Sequence, residues 1–330
     1  MIRTVIYGLI CMLYSFGICA ERPKVVASAT IFEDMAKNLG RDLIDVESIV
    51  PIGGDPHVYE PTPSDAVMVS KADLILINGL TFEGWINELV ENSGTDAQVV
   101  LITEGITPIA SESYKGATDP HAWMDASNGI IYARNISLAL QRLDPDNQSL
   151  YQEYLEDYRD RLVELDRYIE QEISSIPESK RVLITSHDAF AYYGRKYGIK
   201  LSAIMGISTD AEAQTSDILR VAQTIKNTGV PAVFVESTIN PKLLQQIAKD
   251  NEVAIGGELF ADSIGDEGTD GHGYIEMLRH NTDVIVGALS RNEISKTKID
   301  QDDDSSNWLL YSILGLCMIG SLVYLIFKFK

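Results

Sequence analysis

Cysteine is missing from everything between the two apolar ends of this 330-residue chain: Cys11 and Cys19 lie near the start, Cys317 near the finish, and residues 21–306 hold none. Disulfides and thiolate metal sites are therefore excluded from the part that carries the fold, although the chain ends place that part where disulfides could form. Positive charge is scarce as well. Of 27 basic residues, Arg3, Lys328 and Lys330 belong to the ends, which leaves 24 against 48 acidic residues in between. That balance argues against nucleic acid as a partner. There is no internal repeat at a fixed period and no His-Glu-x-x-His helix motif of the metalloprotease kind.

The ends are a different matter. Residues 1–20 carry one charge, Arg3, then an apolar run from Val5 to Ile18 and a small Ala20 before Glu21-Arg22. This is the layout of a secretory signal peptide cleaved after Ala20. Lipid attachment at Cys19 is disfavoured because the bulky Ile18 stands where a small residue belongs. At the other end Trp308 to Phe327 has no charge, and at helical rise it would reach about 30 Å, the thickness of a bilayer's hydrocarbon. Asp302, Asp303 and Asp304 precede it and Lys328 and Lys330 follow. The positive-inside rule then puts the tail in the cytoplasm and everything from Glu21 onward outside. The expected arrangement is a single-pass protein of the cytoplasmic membrane, its binding domain facing the periplasm or cell exterior. Residues 290–306 form an acidic tether and 307–330 the transmembrane anchor with a short tail.

Between the ends, short apolar runs alternate with helical spacing. Strands are expected at 24–28, 46–50, 74–77, 99–102, 181–185, 201–204, 232–236 and 253–255. Helices are expected at 31–39, 64–70, 82–91, 189–197, 217–227, 241–250 and 274–289. Continuous apolar strands between helices indicate parallel sheets covered on both faces. From Ser149 to Ser175 the texture changes to one long charged helix with Leu155, Tyr158, Leu162, Leu165, Ile169 and Ile173 along one face, ended by Pro177. The expected fold is α/β. An N-terminal lobe (21–147) and a C-terminal lobe (177–289), each a mostly parallel sheet flanked by helices, are joined by a rigid helix at 148–176.

All five histidines, His57, His121, His187, His272 and His280, lie in the central part. His57 follows Ile49-Val50-Pro51-Ile52 and Gly53-Gly54-Asp55-Pro56. His187 follows Val182-Leu183-Ile184-Thr185-Ser186, and His121 follows Asp119-Pro120. His57 and His187 thus fall beyond strand ends, where α/β sheets form their ligand crevices. Three neutral imidazoles with one carboxylate suit Zn²⁺, Mn²⁺ or Fe²⁺. Glu236, Glu258 and Asp262 all stand near the tops of later strands, and spacing does not choose among them. His272 reads as a loop residue and His280 as part of the last helix, with Trp85 and Trp123 packing near the cleft. Asn135-Ile136-Ser137 and Asn147-Gln148-Ser149 match a glycosylation pattern that matters only in a eukaryotic secretory route.

Gly54-Asp55-Pro56-His57-Val58-Tyr59-Glu60-Pro61, Asn78-Gly79-Leu80, Asp119-Pro120-His121-Ala122-Trp123-Met124-Asp125, Thr185-Ser186-His187-Asp188 and Gly257-Glu258-Leu259-Phe260-Ala261-Asp262 together resemble the metal-binding solute-binding proteins of ATP-binding-cassette transporters for manganese, zinc and iron. The resemblance runs in order from about Lys24 to Leu289. It implies one divalent ion as transported ligand, held between two lobes by His57, His121, His187 and Asp262, and passed by a monomer to a membrane permease. The stretch from Ser111 to Thr118 lacks histidine, whereas zinc-dedicated members often carry a histidine-rich loop in the first lobe. With the Asp-Pro-His and Asn-Gly-Leu words, this favours manganese or iron, manganese first. The C-terminal anchor departs from the family, whose members are usually free in the periplasm or lipid-tethered at the N-terminus.

Two other functions compete. A metallohydrolase would keep Asp262 off the ion and activate a water there. A surface adhesin would bind metal only incidentally.

Overall fold

The computed structural model describes residues 21–110 and 118–290. The expected signal peptide and anchor, and all but the first residue of the tether, lie outside the described residues. Among those described, no helix is long and apolar enough to cross a membrane.

The first half of the chain builds a four-stranded parallel sheet from β1 (Lys24–Ala27), β2 (Asp45–Ser48), β3 (Leu74–Ile77) and β4 (Gln98–Leu101), in the order β2-β1-β3-β4. Helices α1 (Thr30–Gly40), α2 (Pro63–Ser70) and α3 (Ile86–Ser93) connect these strands, and α4 (Ala126–Leu143) follows them. The long helix α5 (Gln148–Ser175) comes next and stops at Ile176, just before Pro177, whose ring cannot continue a helix. The second half is again parallel. Strand β5 (Val182–Thr185) pairs with β6 (Lys200–Ala203), and β7 (Ala232–Glu236) with β8 (Ala254–Leu259). The two pairs are separate in hydrogen bonding, although β5 runs beside β7. Helices α6 (Ala191–Tyr197), α7 (Thr215–Thr228) and α8 (Lys242–Asp250) alternate with the strands, and α9 (Tyr274–Leu289) closes the chain.

Side chains alternate across each sheet with the two-residue period of a strand. On β1 and β3, Val25, Ala27, Leu74 and Leu76 face one apolar cluster while Val26 and Ile75 face another, which α2 and α3 cover with Val69, Ile86 and Leu89. On β5 and β7, Leu183, Ala232 and Phe234 face inward while Val182, Ile184, Val233 and Val235 meet Val221, Ile225, Leu244 and Ile247 of α7 and α8. The inward sets of both halves belong to one continuous core. Helices α1, α4, α5 and α9 fill it, with Leu162, Leu165, Ile169 and Ile173 of α5 fully buried.

Two helices depart from the spacing-based reading, and β8 runs on to Leu259, beyond the expected 253–255. Helix α4 was not among the expected elements. Its inward residues Gly129, Tyr132, Ala133, Ile136, Ser137, Ala139 and Leu140 mix small and polar types with apolar ones, so its buried stripe is faint. Helix α3 begins at Ile86 instead of Phe82, because the buried Glu83 folds the preceding residues into a turn. Its carboxylate accepts the N–H of Asn78 at 2.7 Å, the N–H of Gly79 at 3.0 Å and the Ser28 hydroxyl at 2.5 Å. Gly79, Leu80 and Thr81 take positive φ there.

Candidate metal centre

Loops that follow strands deliver all four candidate side chains. His57 lies in the loop after β2, His121 just before α4, His187 two residues past β5, and Asp262 three residues past β8. The motif Asp-Pro-His occurs twice and makes the same turn twice. Asp55 Oδ1 accepts the backbone N–H of His57 at 2.9 Å, and Asp119 Oδ1 that of His121 at 2.8 Å.

Beyond that shared bond the two motifs differ. Asp119 Oδ1 also meets Nδ1 of its own histidine at 2.8 Å, whereas Oδ2 of Asp55 accepts the hydroxyl of Thr209 at 2.6 Å. Glu236, at the end of β7, serves His187: Oε1 accepts the backbone N–H at 2.8 Å, and Oε2 stands 2.5 Å from Nδ1, out of line for a regular hydrogen bond. His121 and His187 each therefore have a carboxylate behind the ring, which leaves Nε2 to face the centre. Among the described residues His57 has none.

At the centre His57 Nε2 and His121 Nε2 are 3.2 Å apart. Asp262 Oδ1 lies 3.3 Å from His121 Nε2, and Oδ2 lies 3.2 Å from His187 Nε2 and 3.9 Å from His57 Nε2. One ligand atom from each of the four falls within 4.8 Å of all the others, the only such group of three or more histidine, cysteine or acidic residues among the described residues. The side chains are at most 2 % exposed. Phe82 and Trp123 wall them in, with ring centroids 5.0 Å from His57 and 5.3 Å from His121. The Trp123 indole donates to the carbonyl of Ala261 at 2.9 Å and so fixes the residue before Asp262.

Burial makes the electrostatics strong. It pushes His57 down to about 3. Burial opposes charge on His121 too, but Asp119, through its charge and hydrogen bond, and Asp262 outweigh it and lift the ring to about 9. His187 rises well above its usual value because Glu236 and Asp262 likewise outweigh burial. The paired histidines hold Asp262 well below the ordinary carboxylate range despite burial. Both Asp262 oxygens and Nε2 of His187 are buried with no well-aligned hydrogen bond. Orphaned polar atoms at such depth are costly, and a divalent cation among them would satisfy all at once.

The remaining sequence candidates lie elsewhere. Glu236 stands behind His187, and Glu258 is exposed on β8. His272 meets the carbonyl of Gly265 at 3.4 Å and His280 that of Glu258 at 3.2 Å, both away from the cluster. Trp85 donates to the carbonyl of Pro56 at 2.8 Å, next to His57. Asn135 lies within α4, where its amide donates to the carbonyls of Ile102 and Glu104, and the Asn147 amide donates to Asp144. Sequence reasoning did not assign the partners behind the rings. For Asp119 the signal was present in the repeated Asp-Pro-His. For Thr209, 154 residues from Asp55, there was none.

Parallel sheets whose strand-end loops gather three imidazoles and a carboxylate about one buried point define a metal-binding protein of the substrate-capturing kind. The chain belongs to the family described as zinc-uptake complex component A, periplasmic (ZnuA), whose profile spans residues 25–288, the metal-binding substrate-binding proteins of ABC transporters. It is 37 % identical over 279 residues to the manganese ABC transporter substrate-binding lipoprotein PsaA of Streptococcus mitis, covering 82 % of this chain and 90 % of that protein. The metal ABC transporter substrate-binding lipoprotein SsaB of Streptococcus sanguinis is 37 % identical over 280 residues, covering 82 % of this chain and 91 % of that one. Among solved structures, the periplasmic zinc-binding protein TroA of Treponema pallidum superposes with a TM-score of 0.78 at 33 % identity, covering 82 % of this chain and all of TroA. A manganese-bound periplasmic metal-binding protein of Candidatus Liberibacter asiaticus gives 0.75 at 28 % identity, covering 81 % of this chain and all of that one.

Proposed function

We propose that the protein captures one divalent transition metal outside the cytoplasmic membrane, manganese first with zinc or iron accommodated, and delivers it to an ABC permease for import. His57, His121 and His187 ligate through Nε2 and Asp262 through its carboxylate. The ion sits between an N-terminal lobe (21–147) and a C-terminal lobe (177–289) with α5 between them. The observation that carries this reading is the convergence of those four groups within 4.8 Å. Four protein ligands suit holding, not turnover. The acids that approach the site from behind, Asp119 and Glu236, are engaged with imidazole Nδ1, so neither is placed to act as the base a hydrolase needs.

Manganese comes first because the streptococcal relatives named PsaA are manganese proteins and because no histidine occurs from Ser111 to Thr118. A His₃Asp set alone binds zinc more tightly than manganese, so selectivity rests on geometry and supply. Those relatives are also named lipoproteins. In this chain the segment 307–330 would take over the role of the lipid, so that a monomer serves permeases in its own membrane. Elemental analysis of protein purified from its native membrane without added metal tests the proposal. The expected result is one divalent transition ion per chain, lost in Asp262→Ala. Purification without any such ion, or retention by that variant, would sink it.

A further inference from the structure

The ligand loops are not held alike. His121 and His187 have carboxylates beside their Nδ1 atoms and lie in the buried stretches 119–124 and 182–187. His57 has no such partner among the described residues. The loop around it is open, with Ile52 39 % and Val58 47 % exposed. Within the first half the Trp85 indole holds the carbonyl of Pro56 at 2.8 Å, and two further bonds tie the loop to the second half of the chain. Gly53 N–H donates to Ser263 Oγ, beside Asp262, at 2.9 Å. Asp55, with one oxygen on the backbone of His57, gives the other to Thr209. Thr209 lies between β6 and α7, in a loop whose base is tied to the neighbours of His187: Asp188 N–H donates to the carbonyl of Gly206 at 3.3 Å, and Met205 N–H to that of Ser186 at 2.9 Å.

A chain of contacts therefore runs from the backbone of His57 through Asp55 and Thr209 to the His187 loop, around the outside of the metal centre. The two Asp-Pro-His motifs differ in what their aspartates hold. In one, the aspartate backs its own histidine ring. In the other the same aspartate oxygen pair is shared with the far half of the chain, so the strength of that ligand's placement depends on a contact that can break without disturbing any strand or helix.

We propose that Thr209 and Asp55 are positioning residues that staple the His57 loop over the ion, and that opening this staple is the step by which His57 leaves first and the metal departs. This rests on the proposed ligand set. Release is the sensitive quantity: a hydrogen bond to a charged carboxylate that exists only when the loop is closed slows dissociation, while entry to an open loop does not need it.

The test uses the full chain in detergent, loaded with Mn²⁺ and chased with excess EDTA, with release followed by tryptophan fluorescence and a separate mixing experiment for uptake. Thr209→Val keeps the shape and removes the hydroxyl. It is expected to release Mn²⁺ about tenfold faster with an unchanged association rate, and Thr209→Ser is expected to restore the slow rate. Thermal unfolding of the metal-free variant should match that of the unaltered protein, which separates the staple from a general structural role. Release from Thr209→Val at the unaltered rate or slower, or a serine variant as fast as valine, would overturn the staple while leaving the site intact. Failure of the unaltered protein to bind Mn²⁺ would overturn the ligand assignment itself.

Discussion

Glu236 shows how much a single carboxylate's meaning depends on its place. The sequence offered it as a ligand alongside Glu258 and Asp262, yet it stands behind His187, and Glu258 faces solvent. The three histidines were legible because each follows a strand end or an Asp-Pro turn. Choosing the carboxylate by physics needed the third dimension, where the Trp123 indole pins Ala261. An orienting carboxylate typically contributes about 10–100-fold to metal affinity. Glu236→Gln should therefore weaken binding by that order in equilibrium dialysis, whereas His272→Ala should leave it unchanged. Equal effects would place the ion elsewhere.

The histidine environments also set a pH signature. His121, raised to about 9, carries a proton at neutral pH when no ion is bound, and His187 is shifted in the same direction by Glu236 and Asp262. An arriving cation must displace the proton on His121, whereas His57, at about 3, has none to lose. Calorimetry in buffers of different ionisation enthalpy should detect proton release at pH 7, and affinity should fall with acidification. Metal-free stability follows the same groups. His121 stabilises fully below its unfolded value near ~6.5 and loses that contribution as pH rises through about 9. His57 acts oppositely, because a ring that resists protonation in the fold costs stability as pH falls below ~6.5. The unfolding temperature of the metal-free protein should peak near neutrality, and a monotonic rise to pH 9 would contradict this arrangement.

At the scale of elements, the strands were legible because unbroken apolar runs have few other destinations, and α5 because its stripe from Leu155 to Ile173 repeats over about five turns. Helix α4 was not, since Ser137 and Gly129 sit where apolar residues would mark a buried face. Ser137 bonds the carbonyl of Tyr151 at 3.2 Å, and a Cβ at Gly129 would come within 2.8 Å of the Tyr274 hydroxyl. Such positions are shaped by the partner helix and leave no periodic trace. The start of α2 carries a clear local signal. Thr62 and Asp65 form a capping box in which Asp65 Oδ2 accepts the N–H of Thr62 at 2.7 Å and the Tyr59 hydroxyl at 2.9 Å. Thr62→Ala should cost about 1 kcal/mol in chemical denaturation. Because this cap closes the loop that bears His57, some weakening of metal retention should accompany it.

At the scale of the whole molecule, the inner faces of the strands in both halves share one core through α1, α4, α5 and α9. Spacing alone suggested two lobes and a connecting rod, and could not reveal that the buried face of the rod packs into one core with both halves, because which faces meet is a tertiary fact. Truncating a fully buried side chain in the middle of that core, Leu165→Ala, should destabilise by about 2–5 kcal/mol. Calorimetry should record one transition for both halves, since no boundary free of shared contacts separates them. Two resolved transitions would show that the halves melt independently.

A core that passes without interruption from one half of the chain to the other also constrains what a permease can recognise. Filling and emptying should leave the outline of the molecule, as seen by solution scattering, nearly the same. The message that cargo is aboard would then be written in the posture of a few rim residues around His57, legible only to a receptor that touches them.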